Sequence, residues 1–445
     1  MAGNPLDTIA AAPMRLHQYV VVALCCLINA IDGFDVVSMS YAAPVLTREW
    51  TTSYATLGVV FSAASIGLAC GAFLLAPLAD RWGRWPVMLV ALVAITISHA
   101  LSAVSDTIEH LMMLRFIMGL GLGVLVVSLN VMASEYSNDR QRSMMLALLH
   151  SGFTVGMMSG GLLAALVLEP YGWRAIFVFG AIVNVVLLVL FVLLMSESPT
   201  FLLTRQPPNA LVRLNAILAR LGHAPLAALP PRPVAELRRG GLRALLGSEE
   251  RMTSLLFWLT SLTYAVIGYF LLTWKPKVLV DAGLTPSQAG LVGASVGVMG
   301  ILGHLSMGWQ ARKGGASGLT AIYFALCGAS LLAFGNAPNA VLLIVTAGLL
   351  QFFTVGAYTG LFLTAVALYP PERRSLGIGF MVGFVRLGAI IGPFVGGILL
   401  GANQGRATTF AVFTAISAIP VIAMVLLARG TARQAATPAA AAAPD

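Results

Sequence analysis

The chain has 445 residues, 58% of them hydrophobic and only 10% charged, and its mean hydropathy is +0.89. A soluble protein of this length fills its interior long before it has hidden that much apolar surface, so a water-soluble globule is excluded. The net charge of +9 would suit a nucleic-acid binder, but the positions of the basic residues give it a different meaning.

Apolar runs near the 20 residues or so needed to cross roughly 30 Å of hydrocarbon as a helix recur along the chain. In order they fall at about 18–43, 54–79, 85–104, 110–133, 143–167, 173–195, 253–279, 287–310, 317–335, 340–368, 375–400 and 407–428. The first is too long for a cleaved signal, and too polar at Asp32 and Asp35. Residues 196–251 break the pattern with Pro207, Pro208, Pro230, Pro231 and Pro233 and eight arginines. They read as a cytoplasmic linker with one surface helix near 209–221. The chain therefore divides into an N-terminal segment 1–17, a six-span bundle 18–195, the linker 196–251 and a second six-span bundle 252–428. An Ala/Pro-rich tail, 429–445, is expected to be disordered. The fold class is all-α and polytopic, with twelve transmembrane helices in two pseudo-symmetric six-helix bundles.

With the N-terminus inside, 19 of the 26 Lys and Arg fall in cytoplasmic segments. These include Arg15, Arg81, Arg84, Arg140, Arg142, the linker arginines, Arg312, Lys313, Arg373 and Arg374. That asymmetry places both termini in the cytoplasm, which for a bacterial chain means the inner membrane. Basicity orients the protein in the lipid bilayer, and no nucleic-acid partner is needed. Cys25, Cys26, Cys70 and Cys327 all lie in spans, so neither a disulfide framework nor a metal site is expected.

The two halves share landmarks. Gly152-x-x-x-Gly156-x-x-x-Gly160-Gly161 returns 236 residues on as Gly388-x-x-x-Gly392-Pro393-x-x-Gly396-Gly397. Tyr136 with Asp139, Arg140, Arg142 and Ser143 is echoed by Tyr369 with Glu372, Arg373, Arg374 and Ser375, and Asp80-Arg81-Trp82-Gly83 loosely by Arg312-Lys313-Gly314-Gly315. Repeated six-span halves around a midplane site are a transporter plan.

Asp32 and Asp35 share a helix face near the middle of the first span. A carboxylate at bilayer depth costs at least a few kcal/mol unless protonated, paired or hydrated. The pair therefore reads as a proton-coupling site, the alternative being a permanent ion pair with Arg115. Arg386, about a dozen residues into span eleven, has the donor fork to hold a carboxylate bidentately, or is a counter-ion to the aspartates. Asp80 with Arg81 and Arg84, and Glu135 with Arg140 and Arg142, sit at cytoplasmic span ends as gating charges. Of the span histidines His99, His150 and His304, the last, set among Gly300, Gly303 and Gly308, is the best placed to line a cavity. Tyr264, Phe353, Tyr358 and Phe384 are the aromatics chosen to sandwich a planar ring.

Gly293-Ala-Ser295-Val-Gly297 fits a nucleophile elbow, but lies in an apolar helix rather than a strand-turn-helix. Gly119-x-Gly121-x-Gly123 follows no strand, so it is no dinucleotide loop. No Walker motif exists to make ATP the energy source. An enzyme is not expected, nor any cofactor.

Pro77-Leu-Ala-Asp80-Arg81-Trp-Gly83-Arg84 resembles the cytoplasmic loop motif of the major facilitator superfamily, and Arg115-Phe-Ile-Met-Gly119-Leu-Gly121 its fourth-span motif. Asp32-Gly33-Phe34-Asp35 with Pro44 and Trp50, Glu197-Ser-Pro199, Thr273-Trp274-Lys-Pro276 and Arg386-Leu-Gly388 resemble its aromatic acid:proton symporters. The likeness covers about 18–428. It departs from the pattern at Ala76, where Gly is usual, at Arg312 in the acid's place, and at Lys275 and Lys277, which add charge to span seven.

The resemblance implies a major facilitator fold with a cavity between spans 1, 4, 5, 7, 8, 10 and 11. It also implies proton symport, by alternating access, of a small aromatic carboxylate such as benzoate, hydroxybenzoate or protocatechuate. Arg386 would hold the carboxylate, with Tyr264, Phe353, Tyr358, Phe384 and His304 around the substrate. Asp32, Asp35 and Arg115 would couple protons, and Asp80, Arg81, Gly83, Arg84, Glu135 and Arg142 would gate. The protein is expected to be monomeric. The rival is a proton-coupled exporter of the same fold. Span five resembles an antiporter motif, but Met157 replaces its central proline, and an exporter of cations would not want a midplane arginine. A transporter-like sensor is a third possibility.

Overall fold

The computed structural model describes residues 5–231, 251–311, 315–369, 371–402 and 405–440. Among them every regular element is helical, and 12 helices are long and apolar enough to cross a membrane. A helix satisfies all its backbone hydrogen bonds within itself, which hydrocarbon demands. The spans run Leu16–Glu49, Tyr54–Trp82, Arg84–Ala103, Ile108–Glu135, Met144–Tyr171, Arg174–Leu194, Arg251–Asp281, Pro286–Gln310, Ala316–Gly335, Ala340–Ala365, Gly377–Gly401 and Gly405–Gly430. This is the all-helical twelve-span architecture that the composition demands.

The chain forms two compact units, Met1–Trp50 with Ala63–Glu236, and Thr51–Ser62 with Leu237–Asp445. The first residues of span two thus cluster with the second unit. In the linker a surface helix runs Ala210–Arg220 and a shorter one Pro199–Arg205; residues 232–250 lie outside the described part. So do Arg312, Lys313 and Gly314, the echo of the Asp80 loop, and residues 441–445 of the tail. Composition predicts disorder from 429, yet the last helix runs Gly405–Ala440. Alanine, the strongest helix former, is the commonest residue of the added turns.

Inside the first unit, spans one and five pack backbone to backbone. A Cβ on Gly33 would lie 1.9 Å from the Phe153 carbonyl oxygen, and one on Gly156 would lie 1.8 Å from that of Ala30. The glycine of Asp-Gly-Phe-Asp is therefore steric in origin, as small residues permit close approach of spans. Inside the second unit, spans seven and eleven repeat the arrangement. Gly152 faces the Cys26 carbonyl, Gly156 that of Ala30, and Gly160 the Phe34 ring; Gly388 faces the Leu262 carbonyl, Gly392 that of Val266, and Gly396 the Phe270 ring. Both partners in each contact move by 236 residues. Gly67 against the Phe116 carbonyl and Gly303 against that of Phe352 extend the same interval to spans two and four and to spans eight and ten. The internal repeat is thus a repeat of atomic contacts.

Candidate functional site

In the first unit the helical spacing puts Asp32 and Asp35 on one side of span one, 6% and 2% exposed. Asp35 Oδ1 accepts a hydrogen bond from Arg115 Nη1 at 2.7 Å, and the same guanidinium reaches the Asp35 carbonyl and Ser38 Oγ, each at 3.4 Å. The Phe177 ring lies 5.0 Å from the guanidinium carbon, a cation–π contact. Spans one, four and six are therefore tied through a fully buried cation.

His99 completes the cluster. It is buried, with Nε2 3.5 Å from Asp35 Oδ1, and its Nδ1 lies 3.4 Å from the Asn184 amide nitrogen. A Cβ on Gly180 would come within 2.4 Å of the imidazole, so this glycine makes room for the ring. In the sequence His99 is one span histidine among three, with nothing to set it apart. His150, by contrast, is exposed.

Four of the residues expected to gate, Asp80, Gly83, Arg84 and Glu135, meet in one network. Span two ends in a π turn Gly71–Leu75 and a short 3-10 turn before Ala79–Trp82, and Gly83 then takes φ 108°. That conformation suits glycine, and a Cβ there would lie 2.5 Å from Glu197 Oε2. Glu197 Oε1 accepts from the backbone N–H groups of Arg84 and Trp85, at 2.9 and 3.0 Å. Arg84 bridges Asp80 at 3.0 Å and Glu135 at 3.3 Å and donates to Ser198 Oγ at 2.8 Å. Ser198 in turn donates to Glu135.

Glu135 thus pairs with Arg84 and not, as the spacing suggests, with Arg140 or Arg142; Arg142 pairs with Asp139 at 3.0 Å. The reason is helical geometry: span four ends at Glu135, and the turn over 136–141 carries Arg142 onto the next helix. Arg81 is exposed. From sequence Glu197 stands out only as a family marker, and its place as the hub is missed. The available signal is an acid directly ahead of a helix-starting Ser-Pro.

In the second unit Tyr264 and Tyr358 stack, with centroids 5.5 Å apart and planes at 18°. Arg386 is half-buried and near enough for its charge to act on the Tyr358 phenol. His304 Nδ1 hydrogen-bonds Thr359 Oγ1, beside Tyr358. The other two chosen aromatics have different neighbours. Phe353 packs edge-on against Tyr323, and Phe384 stacks on Trp258 at 5.5 Å and 14°. Nothing in the sequence singles out Trp258. Its buried indole N–H has no hydrogen-bond partner among the described residues.

Taken unit by unit, the arrangement offers a buried carboxylate–guanidinium–imidazole cluster in one, and a guanidinium within electrostatic reach of one of two stacked phenols in the other. The first suits proton and charge exchange; the second suits a planar anion. Among the described residues no three His, Cys, Asp or Glu converge to hold a metal ion.

The sequence profile described as Major Facilitator Superfamily matches residues 25–367. The chain is similar to a gallate transporter of Pseudomonas putida, 33% identical over 97% of this chain and 96% of that one. It is similar to the 4-hydroxybenzoate transporter PcaK of Pseudomonas aeruginosa, 32% identical over 88% of each chain. Among solved structures, a bacterial homologue of the human lysosomal transporter Spinster superposes with a TM-score of 0.72 at 14% identity, covering 95% of this chain and 98% of that one. The xylose transporter XylE from E. coli gives 0.69 at 16%, covering 92% and 97%. These two likenesses concern the fold.

Proposed function

From the premise that the chain belongs to the Major Facilitator Superfamily and is a multi-pass membrane transporter, we propose that it takes up small aromatic carboxylates together with protons by alternating access. The observation that carries the reading is a half-buried Arg386 within electrostatic reach of Tyr358, which stacks on Tyr264, in a chain about one third identical along nearly its whole length to transporters of gallate and 4-hydroxybenzoate. A guanidinium fork matches a carboxylate, and stacked rings accept a third. Both termini lie in the cytoplasm of a bacterial inner membrane, following the positive-inside bias of the loops.

The proton is assigned to the Asp32/Asp35 pair, two carboxyls buried on one side of span one. Asp35 Oδ1 takes Arg115 at 2.7 Å and His99 Nε2 lies 3.5 Å from the same oxygen. Loading and release of a proton at this pair would be coupled to the cycle. The Asp80–Arg84–Glu135–Glu197 network is the latch that re-pairs as the cytoplasmic side opens and closes.

The test is uptake of labelled benzoate, 4-hydroxybenzoate, gallate and protocatechuate by cells expressing the protein, with and without a protonophore. Saturable accumulation abolished by the protonophore is expected. Accumulation that ignores it refutes proton symport, and no uptake of any of the four acids refutes the substrate class.

A further inference from the structure

Span seven carries two lysines two residues apart, and the second unit treats them oppositely. Lys277 is paired with Asp281, donates to the Tyr54 hydroxyl at 3.3 Å and lies 4.7 Å from the centre of that ring. Lys275 is 8% exposed and donates to Gln351 Oε1 at 2.9 Å, and among the described residues it makes no ion pair. An ammonium inside a membrane span whose partner is a neutral amide is expensive to keep, because desolvation is not offset by an opposite charge. Packing does not call for it, since a methionine has nearly the same length and shape.

The internal repeat says what is missing. At the interval of 236 residues Gln351 stands where the first half has Arg115, and Lys275 where it has Met39. That interval is fixed on span ten by Gly67 against Phe116 and Gly303 against Phe352, since Phe116 and Phe352 each stand one residue beyond the position in question. In the first unit the Arg115 position is a cation answered by the Asp35 carboxylate. In the second it is an amide with a cation, and the residue matching Asp35 is Leu271. The second unit has the donors of the pair without its anion.

The donors also converge. Gln351 spends its amide oxygen on Lys275, which leaves its NH2 group to donate. That amide group lies against Gly300 of span eight, 3.4 Å from where a Cβ would be, so no side chain from Gly300 crowds it. An ammonium and an amide NH2 side by side are a two-point receptor for a carboxylate.

We infer that Lys275 and Gln351 form a second carboxylate-binding station in the second unit, separate from Arg386, which the aromatic acid occupies on its way along the transport path. The inference rests on the aromatic-carboxylate reading above. Along span seven Lys275 is about 16 Å from Tyr264, and along span ten Gln351 is about 10 Å from Tyr358, at 1.5 Å per helical residue. A benzoate ion cannot touch both places at once, so the stations act in succession.

The experiment uses the full chain in proteoliposomes, with labelled benzoate as the probe and benzamide, the same ring without the charge, as competitor. Lys275→Met is expected to raise the KM for benzoate about tenfold, the loss of one charge-assisted hydrogen bond. It should also narrow the preference for benzoate over benzamide by a similar factor. Lys275→Arg, which keeps the charge, should stay within about threefold of the parent.

Without ligand, Lys275→Met should unfold at a higher temperature than the parent, because a buried cation with no counter-ion has gone. A KM and a benzoate/benzamide preference within about twofold of the parent in Lys275→Met overturn the station, since that is below the effect of any charged hydrogen bond. A lowered unfolding temperature or failure to fold in Lys275→Met, with Lys275→Arg normal, makes the lysine structural and also overturns it. A parent protein that takes up no aromatic acid overturns the functional reading itself, a different outcome from a parent that transports beside an unaffected Lys275→Met.

Discussion

Asp35 and Arg115 meet at 2.7 Å, each 2% exposed, so the charge of each is neutralised by the other well away from water. Removing one partner leaves the other buried and uncompensated. Asp35→Asn and Arg115→Gln are each expected to destabilise the folded protein by about 3–5 kcal/mol. The double variant should regain much of that loss without regaining accumulation. Thermal unfolding in detergent, set beside uptake, checks both halves of the statement. Additive losses in the double variant would mean the two groups are not a pair.

Asp32→Asn should behave differently. The fold is expected to survive, because the Asp35–Arg115 pair is untouched. Uphill accumulation of benzoate should disappear while exchange of internal for external benzoate persists. Full protonophore-sensitive accumulation in Asp32→Asn would remove this residue from proton coupling.

Glycine-to-alanine scanning should show the repeat. Gly156→Ala and Gly392→Ala place a methyl group 1.8 and 2.3 Å from a carbonyl oxygen of the facing span. Each should destabilise by about 1–3 kcal/mol or more, the usual range for overpacking. Gly308→Ala meets nothing within 4 Å and should be neutral or slightly stabilising. Equal, large losses at the first two sites and none at the third are the expected pattern in thermal unfolding.

Gly83→Ala combines a strained backbone, φ 108°, with a clash against Glu197 Oε2. Since Glu197 Oε1 also holds the N–H groups of Arg84 and Trp85, the whole cytoplasmic network loosens. The effect should fall on the maximum rate of transport and leave the KM for benzoate within about twofold, as expected of a conformational step rather than of binding. A purely KM effect would argue against a gating role.

Arg386→Lys should raise the KM for benzoate about tenfold, because a point charge cannot reproduce a bidentate fork. Tyr358→Phe is milder, since the ring and its stack on Tyr264 remain. Uptake kinetics over a substrate series read both.

Much of the architecture is legible in the amino-acid sequence. The span count follows from apolar length, and the glycines of span five and their copies in span eleven announce the repeat. Pairings are harder. Spacing along the chain suggests Arg140 or Arg142 for Glu135, whereas Arg84, about fifty residues earlier, is its partner. Nothing in the sequence sets His99 apart from the other span histidines, yet its imidazole edge faces Asp35. The physical cause is the same in both cases. A helix apolar on every side carries no amphipathic stripe, so nothing in its residues tells which neighbour a given side chain faces. Gln351 escapes notice for a simpler reason: a lone neutral amide means little until a buried lysine is found bonded to it.

Where a glycine of one span meets a carbonyl of the next, the contact recurs at a fixed interval through the chain, while the charges do not. The two layers are therefore held by different constraints. A glycine at contact distance from a carbonyl cannot take a side chain unless the facing span moves, so both copies keep it. A charge meets no such limit: Leu271 stands where the first half has Asp35, and Met39 where the second has Lys275. On the proposed reading a common skeleton lets the halves divide the labour, one copy turned to the ion and the other to the cargo.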